Sequence, residues 1–324
     1  MKLWTTVKSS VRTRQAKVGG GTMLVLAICS ISFAHAARVE KGIVTVGEAQ
    51  VPYWISLPDK VEGKIPAMLI LHGSNGVSQR FWDYATEFNK MGVAAVIIDS
   101  FSPRNVRSSV TNQKAVPLPV MERDTLTVLQ VVAKHPNIDG DKIGAIGFSK
   151  GAGVLLNRTS LAFTNHPGDK QLALSIAMYP PCNNFRLHPK TTGKPIRVLV
   201  GDHDTYNNWR DCQQVAAKYK EFGADIEIVT LSGAQHAWDA PGHFNDPKGE
   251  NWSQCRWDQI SDKVWEQRST HIVIENENGP NKPNFAKAAS ICMTHGISGG
   301  YNAGAAAQSF AAIKGYVNEI LKGK

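Results

Sequence analysis

The chain has 324 residues, 42% hydrophobic and 19% charged, which excludes a disordered or fibrous protein and leaves room for one large domain or two smaller ones. Its formal net charge of +9 suggests a nucleic-acid or membrane partner, but the charge is unevenly placed. Lys2, Lys8, Arg12, Arg14 and Lys17 precede Ala37 and no acid does, so the remainder holds 31 basic against 27 acidic residues, a net +4 that argues against nucleic acid.

The basic segment is followed by an apolar run over 21–33 and by Ala34-His35-Ala36, small residues at cleavage-site spacing. Residues 1–36 therefore read as a secretory signal peptide cut after Ala36, and the mature chain is expected to be secreted or periplasmic. The apolar run falls short of the roughly 20 residues that span a bilayer, so no stable membrane span is expected after cleavage. Cys29 leaves with the signal. The remaining Cys182, Cys212, Cys255 and Cys292 are an even set in an exported chain and suggest two disulfides. Three connectivities are open. Cys182 with Cys212 and Cys255 with Cys292 is favoured, because the first two follow neighbouring strand ends and the second two share one late segment. None of the four has C-x-x-C or metal-ligand spacing.

Residues 42–47 and 51–56 alternate in polarity and predict a hairpin at the antiparallel edge of a sheet. Pro66 to Leu71 is a continuous apolar run, as a strand buried on both faces requires, and it ends in His72-Gly73-Ser74-Asn75-Gly76 ahead of a helix over 79–90. The next strand, 93–98, opens into Asp99-Ser-Phe-Ser-Pro-Arg104 at a carboxyl edge, where α/β sheets bind ligands. Arg104 is placed either to contact an acidic substrate group or to stiffen its loop by pairing with Asp99 or another acid. A helix over 121–134 carries Leu126, Leu129 and Val132 as its core face.

Lys142 to Gly153 reads as an apolar strand that ends abruptly in Gly147-Phe148-Ser149-Lys150-Gly151 and passes at once into an apolar helix-forming segment, Val154 to Leu156. Strand, sharp turn and helix with glycines two residues on either side of a serine form a nucleophile elbow, which holds the serine out at the end of its strand. Backbone amides, those of Ser74 in the earlier loop and of Lys150 just after the serine, would then supply an oxyanion hole. Strands over 172–178 and 196–200 follow, the second opening into Gly201-Asp202-His203-Asp204. Asp204 is chosen as the acid that orients a histidine, with Asp202 in reserve, because the acid of this arrangement sits a few residues beyond its strand. After a helix over 211–222 and a strand over 226–231, Gly233-Ala-Gln-His236-Ala-Trp-Asp239 places His236 on the last catalytic loop. The order Ser149, Asp204, His236 is that of α/β-hydrolases. Trp238 is a candidate substrate contact.

On Leu71-His-Gly-Ser74, Asp99 to Arg104, Gly147 to Gly151, Gly201 to Asp204, Gly233 to Asp239 and Gly300-Tyr-Asn-Ala303, the chain resembles the dienelactone hydrolase family of α/β-hydrolases. The resemblance implies an α/β-hydrolase fold: a mostly parallel central sheet, helices on both faces and an antiparallel N-terminal edge. It departs from the family at Ser149, where true dienelactone hydrolases carry cysteine, and at Ala152, where a further glycine is common. Ester hydrolysis carries over better than the dienelactone substrate.

Residues 240–298 stand where a minimal hydrolase runs almost directly into its last helix. A structureless loop of that length is unusual, and Trp252, Trp257 and Trp265 with Cys255 and Cys292 predict a folded insertion that either walls the substrate site or forms a small local core. An Ala-rich helix over 303–322 closes a single domain, 37–324. The expected function is an exported serine hydrolase of the carboxylesterase or lactonase type, acting on a small-molecule or polymeric ester through an acyl-enzyme, with no metal and no organic cofactor. The same residues could serve an amide hydrolase or an acyltransferase, or stand unused in a hydrolase-fold binding protein.

Overall fold

The computed structural model describes residues 38–156 and 169–323. The signal-peptide segment lies outside the described residues. Strands β1 (Arg38–Val46) and β2 (Ala49–Leu57) form the expected hairpin, in register from Arg38↔Leu57 to Val46↔Ala49. Then come β3 (Ile65–Leu71), α1 (Gln79–Lys90), β4 (Ala94–Ile98), a 3-10 turn at Ser102–Arg104, α2 (Leu118–Val132), β5 (Ile138–Phe148), α3 (Lys150–Val154) and β6 (Leu174–Met178). After β6 follow the short β7 (Asn184–Phe185), β8 (Ile196–Gly201), α4 (Trp209–Glu221) and β9 (Ile226–Leu231). The main sheet has the order β1-β2-β4-β3-β5-β6-β8-β9. Only β2 runs against its neighbours; from β4 to β9 every pairing is parallel.

The continuous apolar runs are explained by burial on two faces. In β3, Ala67, Leu69 and Leu71 join a core with Val128 and Leu129 of α2, while Met68 and Ile70 join a second core with Phe81 and Phe88 of α1. Helix α1 turns Phe81, Tyr84, Ala85 and Phe88 inward at helical spacing. Helix α2 begins three residues earlier than its periodicity suggested, behind Pro117, and its inward face is Met121, Thr125, Val128, Leu129 and Val132; Leu126 is only half-buried. Asp124 of this helix is fully buried and faces Arg104.

The late insertion is a folded unit clamped at its base. Strand β10 (His243–Asn251) pairs antiparallel with β15 (Thr294–Gly300), closing the segment from His243↔Gly300 to Asn251↔Thr294. Between them lie β11 (Trp257–Ser261), β12 (Val264–Gln267), β13 (Val273–Asn276), β14 (Gly279–Pro280) and α5 (Lys282–Cys292). A second sheet of order β14-β13-β12-β11-β7 recruits its edge strand from the loop after β6, with Trp257 opposite Asn184. The chain ends in α6 (Ala303–Tyr316), which continues as a π-helical turn at Val317–Leu321.

Two disulfides are present among the described residues. Cys182–Cys212 ties the β7 loop to α4, and Cys255–Cys292 ties the start of β11 to the end of α5. The second is packed with Trp257 and Ala288 in a small local core that Trp252, Trp265 and Phe285 complete. Non-reducing peptide mapping is expected to recover these two pairs. Replacing both Cys255 and Cys292 by alanine should lower unfolding stability by about 2–4 kcal/mol, read from the urea midpoint of tryptophan fluorescence.

Candidate active site

The elbow is built by close backbone contact. A Cβ on Gly147 would stand 2.4 Å from the Gly151 carbonyl oxygen, and one on Gly151 would stand 2.4 Å from the carbonyl oxygen of Leu71. Neither position accepts a side chain, so β5, the first turn of α3 and the end of β3 touch as bare backbone. Ser149 sits between them at φ +52° and ψ −111°, a strained conformation held by its own amide donating to Met178 O at 2.9 Å.

The side chain of Ser149 meets a histidine. His236 Nε2 lies 3.0 Å from Ser149 Oγ, and its Nδ1 lies 2.8 Å from Asp204 Oδ2. A carboxylate only accepts, so Nδ1 carries the proton and Nε2 accepts from the serine hydroxyl. The other oxygen of Asp204 accepts from the amides of Tyr206 and Asn207, each at 2.8 Å. Asp202 holds the backbone instead. Its Oδ1 accepts from Gly233 N at 2.7 Å and clips the acid-bearing loop to the histidine-bearing one.

Two tyrosines that sequence reading missed grip the imidazole. Tyr179 and Tyr206 approach it edge-on at 4.8 and 4.7 Å, which with Asp204 leaves the ring one orientation. Tyr179 is itself anchored: its hydroxyl accepts from Arg80 at 3.0 Å and donates to Asp239 Oδ1 at 2.8 Å, while Tyr84 donates to Asp239 Oδ2 at 3.0 Å. Burial pushes both phenols well above their ordinary range, so they keep their protons. The insertion reaches the same histidine from behind. Gly300 N donates to His236 O at 3.0 Å, and Asn302, which caps α6, donates from its amide to Gly233 O at 3.1 Å.

Ser74 and Lys150 both lie beside Ser149 on the wall of a cavity of about 250 Å³. Lys150 begins α3, so its amide has no acceptor inside the helix. His72, fully buried, donates from Nδ1 to Gly73 O at 2.8 Å and accepts from Ser100 N at 3.2 Å, bracing the Ser74 loop from below. Burial lowers its basicity.

Two expected substrate contacts are corrected. Arg104 forms a two-pronged pair with Asp124, at 2.8 and 2.9 Å, and donates to Ser100 O at 2.7 Å, so its charge is spent inside the protein and lines neither cavity at Ser149. Trp238 is fully buried behind the histidine loop; its indole donates to Ser309 Oγ at 3.2 Å and its ring packs edge-on against Tyr179 at 4.8 Å. Both stiffen the site from outside it.

The side chain of Lys150 is the largest omission of the sequence reading. Almost wholly buried, its ammonium donates to Ser109 Oγ at 3.1 Å, Gln113 O at 2.7 Å and Gln113 Oε1 at 3.2 Å. Gln113 in turn donates to the Tyr206 hydroxyl at 3.0 Å and, through its backbone, to Glu250 of β10 at 2.8 Å. The signal was a charged residue inside a run of small and apolar ones.

The sequence profile of the dienelactone hydrolase family matches residues 52–257. A Bradyrhizobium protein described as a probable 2-oxo-3-(5-oxofuran-2-ylidene)propanoate lactonase is 23% identical over 237 residues, covering 66% of this chain and 88% of its own. Among solved structures, a dienelactone hydrolase-like promiscuous phosphotriesterase from metagenomic libraries superposes with a TM-score of 0.57 at 15% identity, covering 88% of this chain and 99% of the other. Thermogutta terrifontis esterase 2 superposes with a TM-score of 0.51 at 17% identity, covering 62% and 85%. These two likenesses concern the fold, an α/β-hydrolase sheet with its helices.

Burial brings the Lys150 ammonium down to about 7, far below its value in the unfolded chain, and Glu250 only partly offsets this. At pH 6 both states are protonated and the folded state bears the full cost of the buried charge. As pH rises through 7 the folded state sheds that proton while the unfolded chain keeps it, so stability increases toward pH 10. Urea denaturation is expected to show wild type gaining on Lys150→Met by up to about 1.4 kcal/mol per pH unit between pH 7 and 10.

Proposed function

The chain belongs to the dienelactone hydrolase family and is a hydrolase of ester bonds, and from that premise we propose that it is an exported serine esterase in which Ser149, His236 and Asp204 form the catalytic triad. The observation that carries this reading is the imidazole of His236, hydrogen-bonded on one side to Ser149 Oγ at 3.0 Å and on the other to Asp204 at 2.8 Å.

In the first step the Ser149 hydroxyl gives its proton to His236 Nε2 as Oγ bonds to the ester carbonyl carbon. Asp204 stabilises the imidazolium without taking its proton. The carbonyl oxygen becomes an oxyanion, and the amides of Ser74 and Lys150 donate to it. As the tetrahedral intermediate collapses, the carbon–oxygen bond to the alcohol breaks and His236 returns its proton to the departing oxygen, leaving the acyl group on Ser149. Water then repeats the sequence with His236 as base, releasing the acid and restoring the serine. Tyr179 and Tyr206 keep the imidazole on the line between serine and carboxylate, which limits the motion each transfer needs.

Export is supported by the two disulfides and by the basic and apolar segments that precede Ala37. Among the described residues no helix is long and apolar enough to cross a membrane. Full-length expression in a secreting host should yield a protein whose N-terminus, read by mass spectrometry, is Ala37; retention of residues 1–36 would remove the signal-peptide reading.

The mature protein is expected to hydrolyse a short-chain chromogenic ester and to be labelled by a fluorophosphonate at Ser149. Ser149→Ala should lower kcat by about 10³-fold or more with the fold retained. Asp204→Asn keeps its oxygen on the Tyr206 and Asn207 amides and turns an NH2 donor toward His236 Nδ1, which reverses the histidine tautomer and should cost on the order of 10³–10⁴-fold. Asp202→Asn keeps an oxygen for Gly233 and should stay within about threefold of wild type. Equal losses in the two aspartate variants would reject Asp204 as the triad acid.

A further inference from the structure

Two cavities open on Ser149, and they differ in whether they contain the histidine. The first, of about 250 Å³, is walled by Leu118 and Pro181 of the body and by Trp252, Trp257 and Phe285 of the insertion. The second, of about 420 Å³, is the one that His236 lines, together with Arg80, Tyr179 and Phe244. An ester bound at Ser149 has an acyl arm and an alcohol arm. Resting on the triad reading above, the chemistry decides which arm goes where, because His236 must deliver a proton to the alcohol oxygen as it leaves. The alcohol arm therefore extends on the histidine side, into the second cavity, and the acyl arm into the first.

The walls of the first cavity define the acyl arm. Phe285 stacks against Trp252 with ring centroids 6.1 Å apart and planes 20° from parallel, and against Trp257 at 5.2 Å and 23°. This slab of near-parallel rings rests on the Cys255–Cys292 disulfide and lines the cavity beside the serine. A planar ring entering there extends the stack with the offset geometry that aromatic pairs prefer. The volume suits one ring and a short linker, since a cavity of about 150 Å³ already holds benzene. Among the described residues no Asp or Glu lines this wall: its basic side chains are buried Lys150, whose amine is held by Ser109 and Gln113, and exposed Lys114, whose ammonium lies 5.0 Å from the Phe285 ring. We propose that the insertion forms an acyl subsite and that the enzyme prefers esters whose acyl group carries a single uncharged or acidic aromatic ring.

The test compares methyl 3-phenylpropanoate with methyl butanoate, whose carbonyls have similar intrinsic reactivity, and 3-phenylpropyl acetate with propyl acetate, where the ring moves to the alcohol. The ring is expected to raise kcat/KM by about tenfold or more in the first pair and by clearly less in the second. Trp257→Ala should reduce the first-pair ratio about tenfold. Leu118→Trp, which fills the cavity from the body side, should reduce it as well and leaves the insertion intact in case the tryptophan variant misfolds. A first-pair ratio near one, a ratio that both variants leave unchanged, or a ring preference confined to the alcohol side would overturn the proposal. Turnover of both methyl esters at equal kcat/KM would do so while leaving the triad standing. Ser149→Ala titrated with methyl 3-phenylpropanoate reads the subsite without catalysis: a saturable quench of tryptophan fluorescence, absent with methyl butanoate, supports it even where no ester is turned over.

Discussion

The turn at Ser149 exists only because two glycines let three chain segments touch as bare backbone. Strand β5 arrives, α3 departs, and the carbonyl end of β3 closes over the turn, with no room for a Cβ at Gly147 or Gly151. A serine at φ +52° costs free energy of about 1–3 kcal/mol, which the surrounding sheet offsets by fixing both ends of the turn. That strain holds the serine Oγ at the carboxyl edge of the sheet, within 3.0 Å of the imidazole of His236.

Around that turn the protein assembles a rigid frame from distant parts. His236 is held by Asp204 at the front, by Tyr179 and Tyr206 on its flanks and by Gly300 at its backbone. Tyr179 is fixed by a buried cluster of Arg80, Tyr84 and Asp239, and Tyr206 by Gln113, which also takes the Lys150 ammonium. Each polar group in this shell has a partner, as burial demands. One hydrogen-bonded chain runs from the elbow through the Gln113 loop to Glu250 of the insertion, and the Tyr179 cluster meets it across the imidazole by ring contact.

The insertion has two roles because its aromatics have two sides. Trp257 and Phe285 pack with the Cys255–Cys292 disulfide as a local core, and they also line the cavity at Ser149. The small local core and the cavity wall are therefore one arrangement. Strand β7, borrowed from the loop after β6, joins the insertion's sheet to the body, and Cys182–Cys212 secures that loop to α4. The family profile spans the central sheet from β2 to β9 and ends at residue 257, early in this segment, which adds Trp252, Trp257 and Phe285 to a cavity otherwise lined by the body.

What the sequence by itself determined is what neighbouring residues decide. Strands buried on both faces are continuous apolar runs, the elbow is written in Gly147 and Gly151, and the order Ser149, Asp204, His236 follows from which strand precedes which loop. Tertiary structure decided where the remaining side chains point. Arg104 found Asp124, 20 residues away, and Trp238 turned inward to Ser309 across 71. Lys150 reached Gln113 across 37 residues, and Tyr179 and Tyr206 closed on an imidazole that nothing local connects to them. Local spacing carries backbone geometry, but the partner of a buried charge or ring is set by which surfaces packing brings together, and that is a property of the whole fold.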